Sequence, residues 1–453
     1  MAMQHAQLDL GHAVVMDALW SSLMPDERRA MRACCKPMRD AVDAQFVSLE
    51  CPKQPALHND VLSAAACARL CGVRTMTLRS MRPMRDMLLH PGAFPRLQSL
   101  RLLLEDDAVI ESAADYQAIA SAAPWLTHFS YSLPASATAL PQQMASLLAA
   151  CSKLQDLAIL VRYSHAAKLP QTVEGFSFVR GGTSNLADVS ALATGTQLLS
   201  LRLPSCSNMT NLAPLRALLS LRGLDMSDCE ASDVVPLGAL MNLQTLKITD
   251  CLDLSDLAPL GALLRLQSLD ISNCRKMSDL APLVTMVYLK HLDMYECATV
   301  SDLAPLAGMA SLQSLNISRS KVSDLTPLAG RVNLQELDIN GCDGVSDLAP
   351  LAGMMALQRL GINSCHMVSD VAPLRDLANL QHLDMSFSNV ADLAPLGDMG
   401  NMRHLELCGC SSVSDVAPLG FMVNFRGLDF RCCHDPSCVC VGAINLKRAI
   451  PTL

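Results

Sequence analysis

The 453-residue chain is poor in aromatic residues, 4%, and in charge, 17%, and nowhere runs to 18 consecutive uncharged apolar residues. An ordinary soluble domain is about 25% charged, so with 51% hydrophobic residues disorder is excluded for most of the length. The aromatic shortage leaves leucine to fill the interior. The lack of a long apolar run argues against a membrane-spanning helix. The opening MAMQHAQLDLGH has no basic stretch leading into an apolar core, so no secretion signal is expected and a cytoplasmic or nuclear compartment is. GxxxxGKS, GxGxxG, HExxH and GxSxG are missing too, so neither an enzyme nor a cofactor is expected.

Positive charge is also short: 35 basic residues face 43 acidic ones, for a net charge of -8. The imbalance sits in residues 198–431, with 16 basic against 25 acidic, whereas residues 1–100 carry 12 against 9. Such a field is the wrong sign for gripping phosphates, and no nucleic-acid partner is expected. The 19 cysteines, in a long chain without a secretion signal, read as reduced thiols.

What the sequence has is a repeat. The consensus LxxLxIxxCxxVSDLAPLxxMxx starts at Leu198, Leu221, Leu243, Leu266, Leu289, Leu312, Leu334, Leu357, Leu380 and Met402, with a partial copy from Phe425. Seven intervals are 23 residues and three are 22; in two of the short ones the cysteine column holds Ser320 and Ser388. Alternation in LxxLxI fits a short strand with leucines inward, giving one parallel strand per coil. In SDLAPL, Ser or Asp can cap a short helical turn, and Pro is tolerated where the backbone N–H is unpaired. One coil cannot bury its leucines, but stacked coils share an interior. The cysteine column is read as part of that interior rather than as a metal or redox array.

These residues resemble the leucine-rich repeats, whose LxxLxLxxN or LxxLxLxxC kernel is matched copy after copy. DLAPL is similar to the convex segment of bacterial internalins, and the cysteine form to protozoan and algal repeats. The resemblance implies an α/β leucine-rich repeat solenoid, with a curved parallel sheet on its concave side. Regular 22–23-residue repeats are assigned to 198–431. Irregular coils are assigned to 51–197, with strand kernels near Val73, Leu97, Leu126, Leu154 and Val173. A C-terminal cap is assigned to 432–453; its RCCHDPSCVC run is too tightly spaced to be an expected zinc site.

Residues 1–50 read differently, as a small all-helical module. The order of apolar stripe, LMPDERRAMR and CCKPMRDAV resembles an F-box, which docks on the Skp-type adaptor of cullin ubiquitin ligases. The resemblance places Val15, Leu19, Trp20, Leu23, Cys35 and Arg39 in adaptor docking. Gly11–His12 and Met38 depart from the family's usual Leu-Pro and tryptophan. A plain helical cap of the solenoid is the other reading of the same stretch.

Solvent-facing strand positions are not fixed by packing, so they are the place to look for recognition. One column reads Arg202, Asp225, Lys247, Asp270, Asp293, Asn316, Asp338, Gly361, Asp384, Glu406, Asp429. The acidic stripe favours a protein partner with a basic surface; equally, Asp can be copied along by duplication. His291, Tyr295, Phe387 and His404 are further contact candidates, since exposed aromatics anchor interfaces. The expected function is protein recognition on the concave face, as the substrate-recognition subunit of an SCF ubiquitin ligase, a monomer within its complex. The alternative is a scaffold or regulatory subunit with no ligase link.

Overall fold

The computed structural model describes residues 8–9, 48–51, 74–78, 96–102, 113–162 apart from 124, 135 and 136, 186–229 apart from 204, 205 and 207, 232–421, and 427–429. The chain falls into two compact units, Met1–Met226 and Ser227–Leu453.

In the first unit eight strands are described: β1 (Leu8–Asp9), β2 (Ser48–Cys51), β3 (Thr75–Leu78), β4 (Ser99–Leu102), β5 (His128–Pro134), β6 (Asp156–Arg162), β7 (Ser200–Arg202) and β8 (Gly223–Asp225). Each pairs in parallel with the next. The kernels read near Val73, Leu97, Leu126 and Leu154 are thus β3 to β6. The strand expected near Val173 lies outside the described residues, and β6 pairs with β7. Strand β2 ends at Cys51, where the sequence placed the start of the irregular coils. Two coils are long enough for α-helices, α1 (Ala113–Ala122) and α2 (Met144–Ala150). Both turn apolar side chains inward: Tyr116 and Ile119 from α1, Met144, Leu147 and Leu148 from α2.

The second unit repeats one plan. Its strands are β9 (Thr245–Lys247), β10 (Ser268–Asp270), β11 (His291–Asp293), β12 (Ser314–Asn316), β13 (Glu336–Asp338), β14 (Arg359–Gly361), β15 (His382–Asp384), β16 (His404–Glu406) and β17 (Gly427–Asp429). All pair in parallel with their sequence neighbours, and the central leucines 246, 269, 292, 315, 337, 360, 383, 405 and 428 face one another in one register. The eight from Leu246 to Leu405 are buried, while their neighbours on the strand are mostly solvent-facing. A register slip of one residue would turn that whole row of leucines outward, so the pairing is fixed by burial.

Strands end after three residues for a visible reason. Three positions past the central residue pair's end, the backbone turns left-handed in coil after coil: Asp250, Asn273, Glu296, Arg319, Ser364 and Phe387 have φ between 57° and 60°, and Gly341 and Gly409 take the same position at 68° and 69°. A left-handed residue cannot continue an extended strand. The cysteine follows, buried, and the chain then reaches the SDLAPL element. There each aspartate accepts the backbone N–H two residues on, as Asp256 does from Ala258 at 2.7 Å and Asp302 from Ala304 at 2.8 Å. That carboxylate satisfies an orphan donor at the start of a single 3-10 turn, and proline occupies the second position of the turn where no N–H is needed. The expectation of a capped, proline-bearing turn is met at Asp233, 256, 279, 302, 324, 347, 370, 392 and 415.

Candidate functional site

In the second unit, two columns of side chains line the open face of the sheet, one on each side of the leucines. The first runs Thr245, Ser268, His291, Ser314, Glu336, Arg359, His382, His404; the second runs Lys247, Asp270, Asp293, Asn316, Asp338, Gly361, Asp384, Glu406. The acidic candidates at 270, 293, 338, 384 and 406 therefore share one register. Asp225 belongs to the first unit, where it faces Arg202 across β7 and β8.

Much of that acid has a local job. Oδ1 of Asp270 accepts the N–H of Ser272 at 3.1 Å, Asp293 that of Tyr295 at 2.9 Å, and Asp384 that of Ser386 at 3.0 Å. Asn316 does the same for Ser318 at 3.0 Å, so the position calls for a side-chain oxygen, not for charge. The hydroxyl of Ser272 also links Asp270 and Asp293, at 2.6 and 2.9 Å, and Lys247 pairs with Asp270 at 3.3 Å. Asp338 is different. It leans into the space left by Gly361, where any β-carbon would collide with its Oδ1, and burial holds its carboxyl above the ordinary range, opposed by Arg359 and reinforced by Glu336, Asp293 and Asp384.

The aromatic candidates do not form one patch. His291 is exposed on β11, and Tyr295, half-buried, lies two residues past the strand's end at Asp293. The Arg319 guanidinium stacks over the Tyr295 ring at 5.6 Å, and Glu296 holds both Arg275 (3.3 Å) and Arg319 (3.7 Å). Phe387 stands not on a strand but at a left-handed turn position, its ring against the α-carbon of Gly409. His404 stacks on His382, 4.6 Å between centroids and 8° between planes. Partial burial depresses His382, with Arg359, His404 and Arg403 pushing the same way. His382 was missed in the sequence, although it occupies the same repeat position as His404.

The cysteine column is built into the core. Five of its thiols reach back one coil to a backbone carbonyl: Cys274 to Ile248 (3.2 Å), Cys297 to Ile271 (3.2 Å), Cys342 to Ile317 (3.2 Å), Cys365 to Ile339 (3.1 Å) and Cys410 to Met385 (3.0 Å). Burial pushes Cys251, Cys297 and Cys365 up to about 12, so these are protonated donors, not nucleophiles. Ser320 and Ser388 stay in the column beside Cys342 and Cys410. Among the described residues, no group of three or more His, Cys, Asp or Glu side chains is placed to hold a metal.

In the first unit, an open groove of about 440 Å³ is lined by Arg74, Arg96, Trp125, Lys153, Gln98, Thr127 and Gln155. The irregular spacing of these coils hid it from the sequence.

Val15, Leu19, Trp20, Leu23, Cys35 and Arg39 lie outside the described residues, as do the cysteine-rich run and the cap at 432–453. No helix among the described residues is long and apolar enough to cross a membrane. No protein-family model matches the sequence, and no curated protein matches it. Solved structures do. A leucine-rich repeat protein of Leptospira interrogans superposes with a TM-score of 0.62 at 14% identity, over 92% of this chain and 97% of that one. An internalin of Listeria monocytogenes gives 0.53 at 20% identity, over 83% and 92%. TLR13, solved in complex with a single-stranded RNA, gives 0.54 at 15% identity, over 80% and 58%. With identities this low the likeness speaks for architecture alone, and the architecture is that of a leucine-rich repeat solenoid.

Proposed function

We propose that this chain is a recognition protein that captures another protein on the open face of its repeat sheet, and that it performs no chemistry on it. One observation carries this reading: eight successive strands are held in a single register over a row of buried leucines from Leu246 to Leu405, which leaves side chains on the open face that differ from rung to rung. The face so built offers Asp293, Asp338 and Asp384, none of which meets a cation in a salt bridge among the described residues, together with Tyr295 and the His382–His404 stack. A partner with basic side chains suits it, steered by the acidic field.

The F-box resemblance of residues 12–47 supports a finer role, in which the captured protein is handed to a Skp-type adaptor of a cullin ubiquitin ligase. Purified protein should then bind such an adaptor, and Leu19→Asp with Leu23→Asp should abolish binding. Loss of that result leaves a scaffold or regulatory subunit. The open face is tested separately by Asp270→Asn, Asp293→Asn and Asp384→Asn, which keep the side-chain oxygen that the backbone needs while removing three charges. Capture of the partner should weaken at least tenfold and lose most of its salt dependence; unchanged capture overturns the assignment to this face.

A further inference from the structure

The repeat also presents a surface that none of the strand columns explains. Two residues before each strand-opening leucine, the chain makes a tight turn in which the N–H of one residue bonds the carbonyl two back, as Leu264 does to Ala262 and Val287 to Thr285, both at 3.0 Å. The residue so positioned points to solvent, yet it is apolar: Met241, Leu264, Val287, Val332 and Met355 are 64%, 54%, 47%, 61% and 50% exposed, with Ala310 completing the row. Tyr288, beside Val287, is 62% exposed. A scattered exposed apolar residue means nothing, but one at the same position of six successive coils is a continuous stripe, and such stripes mark contact surfaces.

Three further features define what fits there. The turns at 239–244, 262–267, 285–290, 308–313, 330–335 and 353–358 contain Arg265, Lys290 and Arg331 and no Asp or Glu; none of these cations is in a salt bridge among the described residues, and Nε of Arg331 is buried without an acceptor. The other flank of the same coils is the row of exposed capping aspartates. Next to the stripe, Gly308, Gly330 and Gly353 leave open space where a side chain would project, so a partner can approach closely.

Spacing chooses the partner's form. Rungs of a parallel sheet are about 4.8 Å apart. An α-helix returns a side chain to the same face every turn, about 5.4 Å, so over the four steps from Leu264 to Met355 the mismatch is about 2.4 Å, which side chains absorb. An extended strand repeats a face at about 6.8 Å and is about 8 Å out over the same distance. From the stripe, its cationic fringe and this spacing, we infer that the flank bearing Met241, Leu264, Val287, Val332 and Met355 docks an acidic amphipathic helix of a partner protein. Its apolar ridge lies along the stripe, and its carboxylates meet Arg265, Lys290 and Arg331.

This surface is distinct from the open strand face and does not depend on that reading. The test uses the full chain and a fluorescein-labelled 18-residue peptide, leucine at i, i+3, i+4 and i+7 and glutamate elsewhere, read by anisotropy. Comparison peptides carry lysine for glutamate, or a central proline. The glutamate peptide should bind at least tenfold more tightly than either. Leu264→Ser with Val332→Ser should weaken it at least tenfold without lowering Tm, and Arg265→Glu with Lys290→Glu should transfer preference to the lysine peptide. Asp270→Asn, Asp293→Asn and Asp384→Asn should leave it unchanged. Equal binding of the proline peptide, indifference to peptide charge, absence of binding at 100 μM, or self-association of the chain that Leu264→Ser and Val332→Ser abolish would each overturn the proposal, the last by making a second copy the occupant.

Discussion

The thiol of Cys365 donates to the backbone carbonyl of Ile339, 3.1 Å away and one coil earlier in the chain. The same bond recurs at Cys274, Cys297, Cys342 and Cys410, so each of these coils is tied to the preceding one by a thiol donating to a carbonyl at the end of its strand; the Ile339 carbonyl also takes the N–H of Cys342, so the thiol adds a second donor there. Two outcomes follow for the thiols. With Cys251, Cys297 and Cys365 pushed up to about 12 by burial, roughly one thiol in 10⁴ is ionised at pH 8. Peptide mapping after mild alkylation of the native chain should find all three unmodified, and modified after unfolding in guanidinium. Cys297→Ala should cost about 1–2 kcal/mol, by removing the thiol's bond to the Ile271 carbonyl and leaving a small void, measured by urea unfolding.

Asp338 should be a liability at neutral pH. Burial raises its carboxyl in the folded state, so the folded state favours the protonated form. The stability this contributes is complete below the unfolded value near 3.8 and is lost as pH rises through the raised folded value. Asp338→Asn, which copies the Asn316 of the same column, should therefore raise Tm at pH 7, with the gain shrinking as pH falls toward 3.5. A gain of equal size at both pH values would show that charge is not the cause.

The left-handed column offers a test of strain. Ser364 sits at φ 59° where the neighbouring coil has Gly341 at φ 68°. Ser364→Gly should stabilise the chain by up to about 1 kcal/mol, and Gly341→Ala, whose new β-carbon would also press on Arg319, should cost about 1 kcal/mol or more. Denaturant titration of the two variants should move the midpoint in opposite directions.

Capping is checked at Asp302, which takes the N–H of Ala304 at 2.8 Å. Asp302→Ala should cost about 1 kcal/mol and Asp302→Asn much less, because Asn211 already performs the same task for Ala213 at 3.0 Å. Hydrogen exchange at Ala304 should speed up in the alanine variant and stay near the parent rate in the asparagine variant.

The repeat made most of the fold legible. Leucines at fixed intervals, a proline that tolerates only an unpaired N–H, and an aspartate two residues before the turn each state their role locally, so strand, turn and register followed from one coil read ten times. Where the spacing is irregular less could be read: β2 at Ser48–Cys51 had no periodic signal to announce it. Candidate site residues were legible only as columns. The sequence placed Asp270, Asp293 and Asp384 on one face, but not that each carboxylate is bound to a backbone N–H two residues on.

Sequence by itself therefore determined the coil, because burial of leucine at 22- and 23-residue intervals has one good solution, a stack of parallel strands. Tertiary structure alone decided which polar groups are spoken for and which apolar groups are not. A thiol, a carboxylate and a methionine look equally available in a consensus, and only their neighbours in the adjacent coils show that the first two are engaged while Met241, Leu264 and Met355 face water. Those neighbours lie about 23 residues away in the chain but about 4.8 Å away in space, a proximity that no local reading of one repeat contains.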